Sequence, residues 1–167
     1  FSAGSMQAIR LGRSELFFFN KQLLAIFAGF LLMYMAYRTP LQVWRNLVPL
    51  FYFLTLVLLI SVFFFRPING SHRWIIMPIF SLQPSELAKF TAVLYLAHYL
   101  DKKEGRLNNF SRGFLPASIM LGILGALILL EPDYGTTMLI ICVSLTMFLI
   151  GGVSFKHIFA SLAFIAP

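Results

Sequence analysis

Charged residues are scarce in this sequence, and that scarcity limits the class of protein it can be. Only 11% of the 167 residues are charged, whereas 59% are hydrophobic and the mean hydropathy is +0.85. Soluble domains carry about a quarter charged residues and about half apolar residues. A surface with so few charges suits lipid and not water. The sequence therefore predicts a membrane protein, not a soluble globular domain.

Cysteine is also almost absent. Cys142 is the single cysteine and lies within an apolar run. One cysteine can form neither a disulfide within the chain nor a thiolate metal site. We therefore expect Cys142 to be a small residue that faces lipid or a neighbouring helix.

The excess of basic residues does not indicate a nucleic-acid partner. Thirteen Lys and Arg against six Asp and Glu give a net charge of +7. These basic residues are scattered between apolar runs, and the longest cluster is the pair Lys102-Lys103. Loop charges that contact anionic lipid headgroups explain such a distribution. We expect membrane lipids, and no nucleic acid, among the partners.

The apolar runs have the length of membrane-spanning helices. A bilayer core needs about 20 apolar residues in a helix, and unpaired backbone groups in lipid cost several kcal/mol, which favours helices over open strands. The candidate spans are residues 22–37, 46–65, 83–100, 113–130 and 134–155. The sequence thus predicts an all-α polytopic transmembrane bundle of about five full spans. Partial helices are expected at both ends, where the chain looks truncated.

The loops between these spans give only a weak orientation. Seven basic residues fall in one set of alternate loops and six in the other, so the count decides nothing. Four of them lie in residues 101–112. Because short cytoplasmic loops are enriched in Lys and Arg, this loop is expected in the cytoplasm.

Ionisable residues near membrane depth mark the first candidate site. A charge there costs about 2.5–3.5 kcal/mol on insertion scales, which makes it a functional hypothesis. Glu86 and Lys89 follow Pro84 at a predicted helix start, and their spacing places them on one face, where they can pair. The alternative is a helix-capping Glu86 and a Lys89 that reaches the headgroups.

A second polar segment precedes this helix, at residues 69–74. Asn69-Gly70 is a turn signal, and Arg73 beside Trp74 at a membrane interface suits a phosphate or sugar-phosphate ligand. The alternative is an interfacial aromatic anchor with a basic neighbour. His72 is expected to be a loop residue and not a ligand.

The third segment is Glu131-Pro132-Asp133-Tyr134-Gly135-Thr136, which predicts a break between two spans. Asp133 could cap the following helix through its side chain. A role as general base or metal ligand would need a partner that the spacing does not identify.

Together, the three segments resemble one family. Asn69-Gly70-x-x-Arg73-Trp74, Phe80-Ser81-Leu82-Gln83-Pro84-Ser85-Glu86-Leu87-Ala88-Lys89 and Glu131-Pro132-Asp133-Tyr134-Gly135-Thr136 resemble the bacterial SEDS proteins of the RodA, FtsW and SpoVE type, which act in cell shape, elongation, division and sporulation. Ser2-Ala3-Gly4-Ser5 is similar to the end of their first helix. The resemblance covers essentially the whole chain and implies one transmembrane domain, of about ten helices in the full family, that includes residues 1–167.

The resemblance also implies an activity. SEDS proteins are peptidoglycan glycosyltransferases of the bacterial cytoplasmic (inner) membrane, where they polymerise an undecaprenyl-pyrophosphate-linked precursor at the outer face. They work with a class B penicillin-binding protein, a transpeptidase. By position, the expected cavity residues are Arg73, Trp74, Glu86, Lys89 and Asp133. A flippase for the same lipid-linked precursor is the alternative.

The family's presumed catalytic aspartate lies in a loop that follows this stretch of sequence. No catalytic residue is therefore expected before Pro167, and we expect these 167 residues alone to be inactive. No cofactor or metal ligand cluster is identified, although a divalent cation such as Mg²⁺ is possible, because phosphate chemistry often recruits one that is held mostly by water.

Overall fold

The computed structural model describes residues 15–65, 72–76, 81–105, 107 and 109–157. These residues form five α-helices: α1 (Glu15–Arg38), α2 (Leu41–Ser61), α3 (Pro84–Lys102), α4 (Leu115–Leu130) and α5 (Tyr134–Ile150). A 3₁₀ turn, Val62–Phe64, follows α2, and a π-helical turn, Phe110–Phe114, leads into α4. The predicted all-α fold is confirmed.

One small sheet was not predicted. Strands β1 (Ile75–Ile76) and β2 (Ser81–Leu82) pair antiparallel, with Ile75 opposite Leu82 and Ile76 opposite Ser81. The pairing lies in the connection before α3, where it satisfies backbone groups outside any helix. Because β2 ends at Leu82, the pairing also positions the start of α3 at Pro84.

The predicted ends of α3 and α4 were right to within two residues, whereas α1, α2 and α5 each had an end that was wrong by several residues. Helix α1 already begins at Glu15 and α2 at Leu41, although the sequence predicted loops there. Counting from charge to charge misses terminal turns, because Lys and Arg on a helix end can extend their charged groups towards water. By contrast, α5 is shorter than the predicted span of residues 134–155, because it ends at Ile150, before Gly151 and Gly152. Gly152 has a φ of +80°, which glycine adopts without strain.

Two helical stretches are long and apolar enough to cross a membrane, Leu41–Phe64 and Phe110–Leu130. Gln22–Arg38 and Tyr134–Ile150 are shorter apolar helices. The prediction that all five helices cross the membrane in full therefore stays a prediction. The resemblance at residues 2–5 and the apolar run from Ile158 lie outside the described residues.

The chain divides into two units, residues 1–44 and residues 45–167. In the first unit, every described side chain of α1 is exposed, including apolar ones such as Leu24, Phe27 and Leu32. A helix that is apolar on all sides lies in lipid or against other apolar helices, because exposing so much apolar surface to water is unfavourable. This exposure supports the membrane assignment.

The second unit contains the core, in which each helix buries one stripe of side chains. The buried positions recur every three or four residues, which is the repeat of one helix face. In α2 they are Val48, Tyr52, Thr55 and Leu59; in α4 they are Ala117, Leu121, Leu124 and Ile128. The opposite faces remain exposed and apolar, as expected where lipid surrounds the bundle.

Hydroxyl groups join these buried stripes. Thr55 and Thr91 are fully buried, and their hydroxyl oxygens lie 2.7 Å apart. Tyr52 donates its hydroxyl to the carbonyl oxygen of Met120 at 2.9 Å. In lipid, where burial of apolar surface does not distinguish neighbours, such bonds and close packing select which helix faces meet.

The end of this unit that carries the carboxyl terminus of α3 is basic. Arg45 and Asp101 form an ion pair of 3.1 Å there, and Tyr99 donates to the carbonyl oxygen of Arg112 at 3.3 Å. His157 packs against Phe110 with ring centroids 5.4 Å apart. The Arg45–Asp101 pair is largely exposed and contributes little stability. The pair nevertheless shows that Arg45 of α2 lies beside the carboxyl-terminal end of α3.

We predict that Thr91→Val destabilises the full-length protein by about 1 kcal/mol, because it leaves the Thr55 hydroxyl buried without a partner. The double variant Thr55→Val/Thr91→Val should be less destabilised than the sum of the single variants. Denaturant unfolding in detergent measures both. Thr146→Val is the control, since the Thr146 hydroxyl is exposed and bonds only the Cys142 carbonyl of its own helix. Additive single effects would contradict the coupling.

Candidate functional site

The candidate site is built around Asp133, in the turn between α4 and α5. Only 8% of Asp133 is exposed. Its Oδ1 accepts a hydrogen bond of 3.2 Å from the backbone N–H of Thr136, which caps the start of α5. The predicted capping role of Asp133 is therefore confirmed, and it accounts for one of the two carboxylate oxygens.

The other oxygen of Asp133 connects this turn to the start of α3. Oδ2 accepts from the Ser85 hydroxyl at 3.1 Å and from the Gln83 side-chain amide at 3.3 Å. The Gln83 amide also donates to Ser85 Oγ at 3.0 Å. Ser85 is fully buried, so its hydroxyl depends on these protein partners. The segment at the start of α3 and the segment of residues 131–136 thus meet directly.

Arg73 brings the segment of residues 69–74 to the same turn. Its Nε donates to the carbonyl oxygen of Glu131 at 3.0 Å, and its Nη2 donates to the carbonyl oxygen of Pro132. Pro132 has a φ of +30°, whereas a proline ring favours about −65°. Strained backbone persists only where its surroundings hold it, and Arg73 holds the carbonyl groups on both sides of this residue. Asn69, Gly70 and Ser71 of the same segment lie outside the described residues.

Glu86 and Lys89 form the predicted pair on the first turns of α3. Lys89 Nζ lies 2.8 Å from both carboxylate oxygens of Glu86. The Glu86 side chain is 59% exposed and that of Lys89 is 27% exposed. Because the pair is accessible, another anion could reach Lys89 and replace Glu86 as its partner without any buried group having to move.

The aromatic and imidazole groups of residues 69–74, Trp74 and His72, have separate positions. Trp74 is partly exposed beside β1, as an interfacial anchor or a stacking surface would be. His72 Nδ1 donates to the carbonyl oxygen of Phe65 at 2.9 Å. The prediction that His72 is a loop residue is confirmed.

The two carboxyl groups of the turn have opposite electrostatics. Burial raises the pKa of Glu131 from 4.5 to about 8; repulsion from Asp133 adds to the rise and Arg73 opposes it. Glu131 is fully buried, and neither carboxyl oxygen has a partner among the described residues. Burial also acts to raise the pKa of Asp133, but hydrogen bonds from Thr136 and Ser85 and the charge of Arg73 outweigh it and lower that pKa. Glu131 is therefore neutral at pH 7 while Asp133 is charged.

Four residues of this site were not singled out from the sequence: Gln83, Ser85, Glu131 and Thr136. All four lie inside the polar segments that the sequence marked. Their signal was weak, since Ser, Thr and Gln are ordinary at helix starts, and only folding shows which of them face Asp133.

The contacts of the described carboxylates bear on how they could bind a metal ion. No group of three His, Cys, Asp or Glu side chains comes together within the described ranges. Asp133 already accepts three hydrogen bonds, Glu86 is paired with Lys89, and Glu131 is enclosed. A role for Mg²⁺ stays a prediction.

We predict that the stability of the full-length protein falls as pH rises from about 4.5 to about 8, since the unfolded chain releases the Glu131 proton first. The Glu131→Gln variant has no ionisable group at this position. The melting temperature of the variant minus that of the wild type should therefore increase across that pH range. Thermal unfolding in detergent at a series of pH values measures the difference.

Asp133→Asn is the matched control for this experiment. Because the pKa of Asp133 is lowered on folding, its charge stabilises the protein above the ordinary pKa of 3.8 and that contribution is lost as pH falls through the folded pKa. The wild type should therefore lose stability relative to Asp133→Asn at acid pH. A constant difference between Glu131→Gln and the wild type would contradict the assignment of Glu131.

Comparison with known proteins gives a consistent family. The family model described as "Cell cycle protein", covering FtsW, RodA and SpoVE, matches residues 1–166. A probable peptidoglycan glycosyltransferase FtsW of Burkholderia thailandensis is 32% identical over 142 residues, 83% of this chain and 31% of that protein. A protein of the same description from Geobacter sp. (strain M18) is 33% identical over 161 residues, 95% of this chain and 44% of that protein.

Solved structures agree in fold. The crystal structure of the Thermus thermophilus rod shape determining protein RodA superposes with a TM-score of 0.75 at 24% identity, covering 98% of this chain and 54% of that one. A chain from a peptidoglycan synthase complex, studied for the coordination of polymerization and crosslinking, matches with a TM-score of 0.75 at 25% identity, covering 98% of this chain and 48% of that one. The chain spans less than half the length of the two FtsW relatives.

Proposed function

Because the chain belongs to the FtsW, RodA and SpoVE family of cell-cycle proteins, we propose that the whole protein is a peptidoglycan glycosyltransferase. It would polymerise glycan strands from an undecaprenyl-pyrophosphate-linked precursor during growth or division of the cell wall. The described residues would supply part of the site that binds this precursor.

The accessible Glu86–Lys89 pair is the observation that carries this proposal. Lys89 is a cation whose observed partner, Glu86, is itself mostly exposed. In polymerisation a pyrophosphate leaves as the glycosidic bond forms, and a positioned cation stabilises that developing charge. Lys89 would bind the pyrophosphate, and Glu86 would keep the ammonium charged and oriented until the precursor arrives. Trp74 would provide a surface for the lipid or sugar.

Arg73 has a different part in this proposal. Its guanidinium bonds two backbone carbonyls of the turn before α5, which occupies two of its nitrogens. Arg73 would thus shape the site by holding this turn, and its positive charge would add to the local potential. Lys89 would make the direct phosphate contact.

The general base would come from outside the described residues. A base needs a free carboxylate within reach of the attacking hydroxyl. Asp133 already accepts three hydrogen bonds, Glu131 is enclosed, and Glu86 is paired with Lys89. This distribution supports the expectation that a further part of the protein carries the catalytic aspartate.

We propose that the site faces outward from a bacterial cytoplasmic membrane, in which the protein is multi-pass. Basic residues favour the cytoplasmic side, and the described basic residues of the second unit are distributed unevenly between its two ends. Five lie at the end where α3 finishes, and two lie at the end where Asp133 sits. The five are Arg45, Lys102, Lys103, Arg112 and Lys156; the two are Arg73 and Lys89.

A class B penicillin-binding protein is the proposed partner. The related chain of known structure belongs to a peptidoglycan synthase complex of polymerization and crosslinking, and crosslinking of a new strand requires a transpeptidase near the polymerase. Membrane lipids would surround the exposed apolar faces of the helices.

We expect Lys89→Met to lower glycan polymerisation by the full-length protein at least tenfold, since the variant keeps the length of the side chain but removes the charge that would contact pyrophosphate. The assay follows polymer formed from purified lipid-linked disaccharide-peptide in detergent or vesicles. Lys102→Met removes a charge at the other end of α3 and should leave the rate unchanged. Normal polymerisation by folded Lys89→Met would overturn the role of Lys89.

The same preparation separates polymerase from flippase. Wild-type protein that moves a fluorescent precursor between leaflets but forms no polymer, with or without its transpeptidase, would replace the proposed function by the transport alternative. The 167-residue chain alone should form no polymer.

A further inference from the structure

We propose that Ser85 and Gln83 are positioning residues for the reaction. Their side chains hydrogen-bond to Asp133 and to each other, and this group of bonds, the tie, holds the first turn of α3. The tie thereby fixes the position of Lys89. This inference rests on the proposed function in so far as Lys89 binds the precursor. It assigns roles to two residues that neither contact the precursor nor carry charge.

The spacing along α3 connects the tie to Lys89. Ser85 and Lys89 are four residues apart, so they lie on the same side of the helix about 6 Å apart along its axis. Between them, Ala88 is fully buried, which fixes how closely this turn packs. A shift at Ser85 therefore moves Lys89 by a similar distance.

The hydrogen bonds are arranged to hold the helix start and not to bind a ligand. Gln83 is the N-cap residue of α3, yet its side chain makes no bond to the N–H groups of its own helix. Its amide instead donates to Asp133 and to Ser85. The Ser85 hydroxyl donates to Asp133 and is fully buried. All three of these hydrogen bonds run between groups of the protein itself.

Asp133 acts in this tie as an acceptor, and that has a chemical consequence. An asparagine at this position would cap α5 about as well as aspartate does. Its amide could donate to Ser85 Oγ, or to Gln83 after the Gln83 amide flips. A tie should therefore survive Asp133→Asn in large part, whereas a carboxylate that takes part in the chemistry would not.

The experiment measures kcat and KM for polymerisation by the full-length protein with Ser85→Ala, Asp133→Asn and Asp133→Ala. We expect Ser85→Ala to lower kcat/KM at least tenfold, because a misplacement of about 1 Å at a reacting centre can cost about a hundredfold in rate. Asp133→Asn should keep most of the wild-type value. Ser61→Ala is the control, because the Ser61 hydroxyl bonds only the Leu58 carbonyl of its own helix.

A second comparison tests whether the tie acts through Lys89. In a Lys89→Met background, Ser85→Ala should cause almost no further loss, since a misplaced side chain matters only when its charge is present. Equal additional loss in both backgrounds would overturn the proposal. So would folded Asp133→Asn protein as inactive as Asp133→Ala.

Amide hydrogen exchange keeps the test independent of activity and of folding failure. Exchange in residues 84–89 should be faster in Ser85→Ala than in the wild type and close to wild type in Asp133→Asn. If wild-type protein forms no polymer while this exchange pattern appears, the tie is supported and the proposed function fails. Unchanged exchange in Ser85→Ala would overturn the tie whatever the activity.

Discussion

A buried carboxylate, that of Asp133, imposes the main constraint on this end of the protein. A charge with 8% of its surface exposed needs partners, because desolvation costs several kcal/mol per ion. The partners come from two places, the N–H of Thr136 and the side chains of Ser85 and Gln83. To satisfy one carboxylate, the starts of two helices must meet, and the strained turn held by Arg73 is part of the same arrangement. The site depends on this meeting point.

The neighbouring Glu131 shows the opposite solution to burial. Its oxygens lack partners among the described residues, and the group is neutral instead. Two carboxyl groups of one turn thus differ in charge because only Asp133 receives hydrogen bonds. Asp133 and Glu131 are both enclosed by the structure, whereas the ion pair of Glu86 and Lys89 remains accessible.

Much of the fold could be predicted from the sequence because lipid narrows the choices. Long apolar runs in a bilayer must satisfy their own backbone groups, so they form helices, and all five predicted spans correspond to a helix. The ends could not be predicted as well. Flanking charges do not stop a helix, and the Glu15–Arg38 helix extends through Lys21, which lies outside the predicted span of residues 22–37. Nor could the short β1–β2 pairing be foreseen, since two-residue strands leave no periodic pattern.

The sequence by itself determined the membrane class, the helices, the three polar segments and the family, because composition, run length and motif spacing are properties of the chain. Only the tertiary structure decided which faces pack and which polar groups meet. Helices that are apolar on all sides carry little pattern to mark a buried face, so the Thr55–Thr91 contact appears only on folding. Likewise, Ser85 and Asp133 are 48 positions apart. Their bond exists because the bundle brings two helix starts to one buried charge.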